Sequence, residues 1–135
     1  MSLQIIRRAL EKHLAAIAPA MATAFENAGY TPQAGVPYQR ANLLPNTPDN
    51  SEQGSARYVE RGLFQVTLCF AIGSGPADAE SRTQALRLAF KRGTSLDESG
   101  VMVIVTDTPS VAPAQFDGTH FCIAVSVPWQ AQIST

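Results

Sequence analysis

Residues 62–80, GLFQVTLCFAIGSGPADAE, decide the fold. Over Gly62–Ile72 the residues Phe64, Val66, Leu68, Phe70 and Ile72 alternate with Gln65, Thr67, Cys69 and Ala71. That period of two sends successive side chains to opposite faces of a strand. The period then changes. Ser74 or Gly75 can cap a helix, Pro76 suits a first helical position that needs no amide, and Asp78 and Glu80 lie where the helix dipole favours acids. Ala79, Arg82, Ala85, Leu86, Ala89 and Phe90 recur at helical spacing as a packed side, giving a helix to about Lys91. Arg87, Lys91 and Arg92 complement its negative end, and Gly93 stops it.

Upstream, Leu3, Ile6, Leu10, Leu14, Ile17, Met21 and Phe25 step by three and four, the stripe of an amphipathic helix from Leu3 to Phe25 with Ser2 as its cap. Pro19 lacks an amide donor and crowds the preceding turn, so this helix is expected to kink near Ala18. Thr31–Glu60 changes character, with Pro32, Pro37, Pro45 and Pro48 among polar runs. It reads as a long loop in which Val36–Leu44 is a strand at most, confined by Pro37 to a sheet edge. Asn46–Ser55 is expected to order on contact with a partner.

Downstream, Val101–Thr106 is a continuous apolar run, expected to be buried on both faces or central. Phe121–Val127 alternates, and the PSVAPAQFDG stretch between them is turn chemistry, Asp117-Gly118 above all. Helix, loop, strand, helix, strand, strand predicts an α+β domain of two layers: one mixed or antiparallel sheet with helices on one face. The whole chain, 1–135, reads as that single domain.

Composition bounds the function. Of 135 residues, 45% are hydrophobic and 16% charged, enough apolar content for one core and too much for whole-chain disorder. Ten basic against eleven acidic residues give a net charge of -1, which argues against a dedicated nucleic-acid binder. Arg7, Arg8, Glu11 and Lys12 interrupt the N-terminal apolar residues, so no secretory leader is read there, and no apolar run reaches membrane-spanning length. A soluble, intracellular protein is the expectation. Cys69 and Cys122 lie in apolar runs and read as small buried hydrophobes rather than as a bridge.

Catalytic patterns are sparse. The chain carries no phosphate loop, GxSxG, HExxH or CxxC. Gly73-Ser74-Gly75 has the geography of an anion site but lacks the third glycine and the downstream acid of a dinucleotide fingerprint, so it reads as a tight turn. His120 and Cys122 share a strand face, yet zinc needs three or four ligands. His120 therefore reads as half-exposed, Cys122 as core and His13 as helix surface. Asp97-Glu98 falls in a polar turn, Asp107 at a strand end and Asp117 in a turn, none with the apolar surroundings that tune a catalytic acid. No catalytic residue, metal or cofactor is expected. Arg40, Arg57 and Arg61 border the long loop, whereas Arg87, Lys91 and Arg92 end the second helix.

Six stretches together carry a resemblance: FENAGYTP (25–32), VPYQRANLLPNTP (36–48), RGLFQVTLCFAIGSGPADA (61–79), LAFKRGTSL (88–96), GVMVIVTDTPSVAP (100–113) and FCIAVSVPW (121–129). In their order the chain resembles the tail terminator-like proteins of long-tailed phages and prophages. The resemblance implies a structural α+β protein without catalytic residues or cofactors, which assembles as a ring, commonly of six subunits. Such a ring sits on the last ring of the tail tube, stops its polymerisation and faces the head's connector. The implied partners are further copies of the chain, the tail tube protein and the head-tail connector protein, with at most transient contact with passing DNA and none with membrane. The implied location is the virion tail, with assembly in the host cytoplasm.

A ring needs two different patches that fit each other. The Gly35–Glu60 arm and the edges of strands 63–72 and 119–127 are the expected contacts. The interface expectation falls on Tyr38, Arg40, Arg57, Tyr58 and Arg61, and that of a lumen-facing or partner-facing basic set on Arg87, Lys91 and Arg92. Two alternatives remain: a head-side connector or neck subunit, and a small ligand-binding or enzymatic domain with an anion site at 73–75.

Overall fold

Phe64, Val66, Leu68 and Phe70 point into one apolar core, and the remaining elements are arranged around the strand that carries them. The structure is a computed structural model describing residues 2–33, 35–50 and 57–134, without the side chains of Ser2 and Asp117. In chain order the elements are α1 (Ser2–Ala15), β1 (Ala22–Phe25), β2 (Tyr38–Pro45), β3 (Arg57–Ala71), α2 (Ala77–Ala89), β4 (Ser95–Glu98), β5 (Val101–Val105), β6 (Ser110–Val111), β7 (Gln115–Asp117) and β8 (His120–Ser134).

The sheet order is β1-β2-β3-β8-β5-β4, with β6 and β7 also paired to β8. Every pairing is antiparallel except β1 with β2. The spine is β3 against β8, in register from Arg57↔Ser134 to Ala71↔His120. On its inner face Ile123, Val125, Val127, Trp129 and Ala131 join the β3 residues beneath Ile6, Leu10 and Leu14 of α1 and Ala79 and Leu86 of α2. Helices on one face of a strongly curled mixed sheet make this the expected α+β fold.

Prolines account for most departures from the sequence reading. The first helix ends at Ala15 instead of continuing, kinked, to Phe25. Ile17 N donates to the Leu14 carbonyl in a tightened last turn, the chain turns at Pro19, and Ala22–Phe25 becomes the edge strand β1. The supposed loop contains β2, which is no edge: it lies between β1 and β3, because Pro37 precedes the strand and removes no donor from its ladder. Glu60 and Arg57 likewise belong to β3. Of the segment expected to order on contact, residues 51–55 lie outside the described residues.

The C-terminal strand extends past Pro128 to Ser134. Pro128 accepts a hydrogen bond from Thr106 N at 3.1 Å, so its nitrogen faces the gap between β5 and β6 and breaks no bond to β3. Asp97-Glu98 is not a turn but part of edge strand β4, where Glu98 meets Lys12 at 3.1 Å and Arg8 at 3.7 Å. β5 lies inside the sheet between β8 and β4, one of the two expected positions; it buries Val103 and Val105 and leaves Met102 43% exposed, so it is covered on one face and not on both. The 109–118 stretch holds β6 and β7, and the expected turn follows Asp117, where Gly118 takes φ 56° before His120 pairs back to Asp117.

Beyond the end of β1, the Glu26 carboxylate accepts from Leu43 N at 2.6 Å and from Arg7 at 2.9 Å. The Arg7 hydrogen bond, then the Leu43 amide, holds the Glu26 pKa below its usual 4.5. Its contribution is therefore present above that value and lost as pH falls below it. Glu11 runs the other way, its pKa raised by burial, so that its ionisation weakens the fold as pH rises. Glu26→Gln is expected to cost about 1 kcal/mol at pH 7, reduced by the group's partial exposure, and to flatten the acid limb below pH 4.5 in urea titrations across pH.

Candidate functional site

The outer face of the sheet, opposite the helices, collects the arginines that border the long connection. Arg40 pairs across to Thr67, and Arg57 and Arg61 have the same parity on β3, so all three project from this face and are exposed. Arg61 Nε donates to the Thr47 carbonyl at 3.0 Å while Asn46 N donates to the Arg61 carbonyl at 2.8 Å, which fastens the return from β2 onto β3. Tyr58 is half-buried against the main core. Tyr38 is 2% exposed and offers a neighbour almost no surface.

Tyr38 sits in a second apolar cluster with Cys69 and Cys122. Those cysteines face each other across β3 and β8 and form a disulfide, contrary to the free thiols expected. Two cysteines 53 residues apart meet only through the strand register, which no local pattern reveals. His120 is 1% exposed rather than half-exposed. Its Nε2 donates to the Val36 carbonyl at 3.1 Å, and its ring stands edge-on to Tyr38. His13 is half-buried, donating through Nε2 to the Ala89 carbonyl at 2.7 Å. Beside the disulfide a basin of about 500 Å³ is lined by Arg40, Gln65, Thr67, Gln115 and Phe116, the last 72% exposed.

The second basic set lies on the helix layer and does not join the first. Arg87 Nε donates to the Pro109 carbonyl at 3.0 Å, and Lys91 and Arg92 are exposed beyond the end of α2. At 73–75 the two glycines take φ of 86° and 81°, and Ser74 Oγ donates to the Ala71 carbonyl at 2.7 Å, so that hydroxyl closes its own turn. Pro76 makes no side-chain cap. Strands 63–72 and 119–127, expected to offer edges, are instead the centre of the sheet; β1 and β4 end it, and the short β6 and β7 flank β8. Among the described residues no three His, Cys, Asp or Glu side chains converge as a metal site. No described helix is long and apolar enough to cross a membrane.

Sequence reasoning placed Arg82 on the packed side of α2 without assigning it a role. It is 6% exposed, its Nη1 donates to the Pro19 carbonyl at 2.6 Å, and its Nε is buried with no partner. Burial lowers its pKa from the usual arginine value, though an arginine this basic keeps its charge. It lines a groove of about 540 Å³ between α2 and the 18–22 segment, with Pro19, Met21, Val36, Phe70 and Asp78. A cation inside an apolar stripe was the available signal.

A family model described as phage tail terminator protein matches residues 5–129. One solved structure is similar over 100% of this chain and 99% of that chain, at 29% identity and a TM-score of 0.79. No curated protein matches.

Proposed function

Because the chain belongs to the phage tail terminator family, we propose that its copies close into a ring, expected to be six, on the last ring of the tail tube. The family makes it a structural protein of the phage tail, and its place is the virion tail. The ring ends tube polymerisation and presents its far side to the head-tail connector protein. Assembly takes place in the host cytoplasm, and DNA passes with transient contact at most. A net charge of -1 supports this: a conduit that must release DNA does not accumulate phosphate-neutralising cations.

The observation that carries the reading is the family match across nearly the whole chain. The exposed arginines at the β2–β3 return support placing a subunit contact there. The test is tube protein polymerising with and without the chain: tubes of fixed, shorter length are expected, and unchanged growth contradicts the proposal. Capture of head connector protein by the chain in the absence of tubes would favour the neck-subunit alternative.

Charge reversal at the arginines adds a second check. Arg57→Glu with Arg61→Glu is expected to weaken assembly at least tenfold in midpoint concentration, equivalent to about 1.4 kcal/mol. Thermal unfolding should shift little, since exposed charges contribute about 1 kcal/mol or less. Light scattering and circular dichroism measure the two separately.

A further inference from the structure

Arg82 breaks a rule of its own helix. Among the described residues its only hydrogen bond runs from Nη1 to the Pro19 carbonyl, and no carboxylate lies within ion-pair distance. Asp78, one turn earlier, lines the same groove and makes no ion pair with it. The guanidinium edge formed by Nε and Nη2, the edge that takes a carboxylate side-on, is left without a partner. In the single copy Nε is shut off from solvent. The walls, Pro19, Met21, Val36 and Phe70, are apolar. The groove thus suits an apolar segment carrying one acid.

The chain itself presents a proline-rich segment, Leu44–Asp49, with Leu44, Pro45 and Pro48 as its apolar members and one acid. Leu44, 44% exposed, begins a run through Pro45 and Pro48 to Asp49, all exposed and without a basic residue. The Asp49 backbone is clamped by reciprocal hydrogen bonds with Val59, both 2.9 Å, while its carboxylate makes no hydrogen bond or ion pair among the described residues. Groove and segment lie at opposite ends of β3: Phe70 lines the first and Val59 holds the second. The eleven residue steps between them span about 35 Å of strand, too far for one copy to satisfy itself. Unlike patches at opposite ends of a subunit define a head-to-tail contact, the kind that closes into rings.

We propose that the Leu44–Asp49 segment of one copy docks in the Arg82 groove of the next, the Asp49 carboxylate accepting from Arg82. The contact rests on the ring reading above and specifies which surfaces make it. Burying an unpaired arginine costs stability in the free subunit, and the neighbour's acid supplies the missing partner.

Native mass spectrometry of Arg82→Met and Asp49→Asn tests this, with tube co-sedimentation as the second readout. Each variant is expected to raise the midpoint concentration of association, or of tube capping, at least tenfold. Arg82→Met should melt at the wild-type temperature or above it, because methionine fills the site without the buried charge. If Arg82→Met fails to fold, Asp49→Asn and the more disruptive Asp49→Lys carry the test alone. Mixing the two folded variants should give heterodimers and no ring, since one has the intact segment and the other the intact groove. Variants indistinguishable from a wild type that assembles or caps tubes overturn this contact and leave the ring reading intact. Weakened variants that form no heterodimer overturn the pairing of these two patches, the groove then serving the tube protein. A wild type that neither associates nor caps tubes overturns both.

Discussion

Trp129→Ala is expected to cost about 3–5 kcal/mol, a large share of the stability of a domain this size. Trp129 is 1% exposed and is the largest fully buried side chain. On β8 it pairs with Gly62 of β3 and Val105 of β5, so its indole fills the inner face where three strands meet. Truncation removes that apolar surface from the core and leaves a void that rigid strands on both sides cannot close. Trp129→Phe separates the causes. It removes a buried indole N–H that has no hydrogen-bond partner among the described residues, and it leaves a smaller void, so it should cost about 1.5 kcal/mol or less. Urea unfolding read by far-ultraviolet circular dichroism is the measurement, because Trp129 is the only tryptophan and the substitution removes the fluorescent probe. A loss under about 1 kcal/mol for Trp129→Ala would contradict the packing described.

The second large effect comes from the smallest side chain opposite. A Cβ at Gly62 would run into the Leu44 carbonyl oxygen and lie 3.0 Å from Pro45 Cα and 3.1 Å from Trp129 Cζ2. The first two are backbone and cannot swing away, so β2 and β3 would have to part where the chain leaves Pro45. Gly62→Ala is therefore expected to cost about 2–3 kcal/mol, with no benefit from the lower entropy of alanine in the unfolded chain. Because the strain falls at the base of the Leu44–Asp49 segment, assembly should weaken more than stability alone explains. Chemical denaturation and native mass spectrometry on the same variant check both parts.

The inner half of the fold was legible in the sequence because burial on one face writes itself as alternation. Phe64, Val66, Leu68 and Phe70 are buried, whereas Ile72, past the end of β3, is 49% exposed; of the α2 stripe Ala79, Arg82, Leu86 and Phe90 are buried and Ala85 and Ala89 half-buried. The outer strands were obscured by proline. Pro19 sits after α1 rather than within it, and Pro37 before β2 rather than in its ladder, yet both types of position look alike in one dimension. Asp97 and Glu98 read as a turn because an edge strand carries charge where a central one does not.

The surfaces proposed for assembly were partly visible. Arg40, Arg57 and Arg61 share a face, which follows from the extension of β3 back to Arg57 and from the β2–β3 register rather than from the alternation over 62–72. Tyr38 lies in the stretch that reads as a loop, and its burial depends on meeting His120 and Tyr30 from elsewhere in the chain. The Arg82 groove depends on Pro19, 63 residues away, and on the distance between the two ends of β3. Nothing local encodes either.

Whether copies of this chain join head to tail into a closed cap on the tail tube can be seen by electron microscopy of purified tubes mixed with the protein. One closed ring of density is expected at a single tip of each tube, with six-fold symmetry in end-on averages. Density spread along the tube wall, or bare tips at saturating protein, would contradict it.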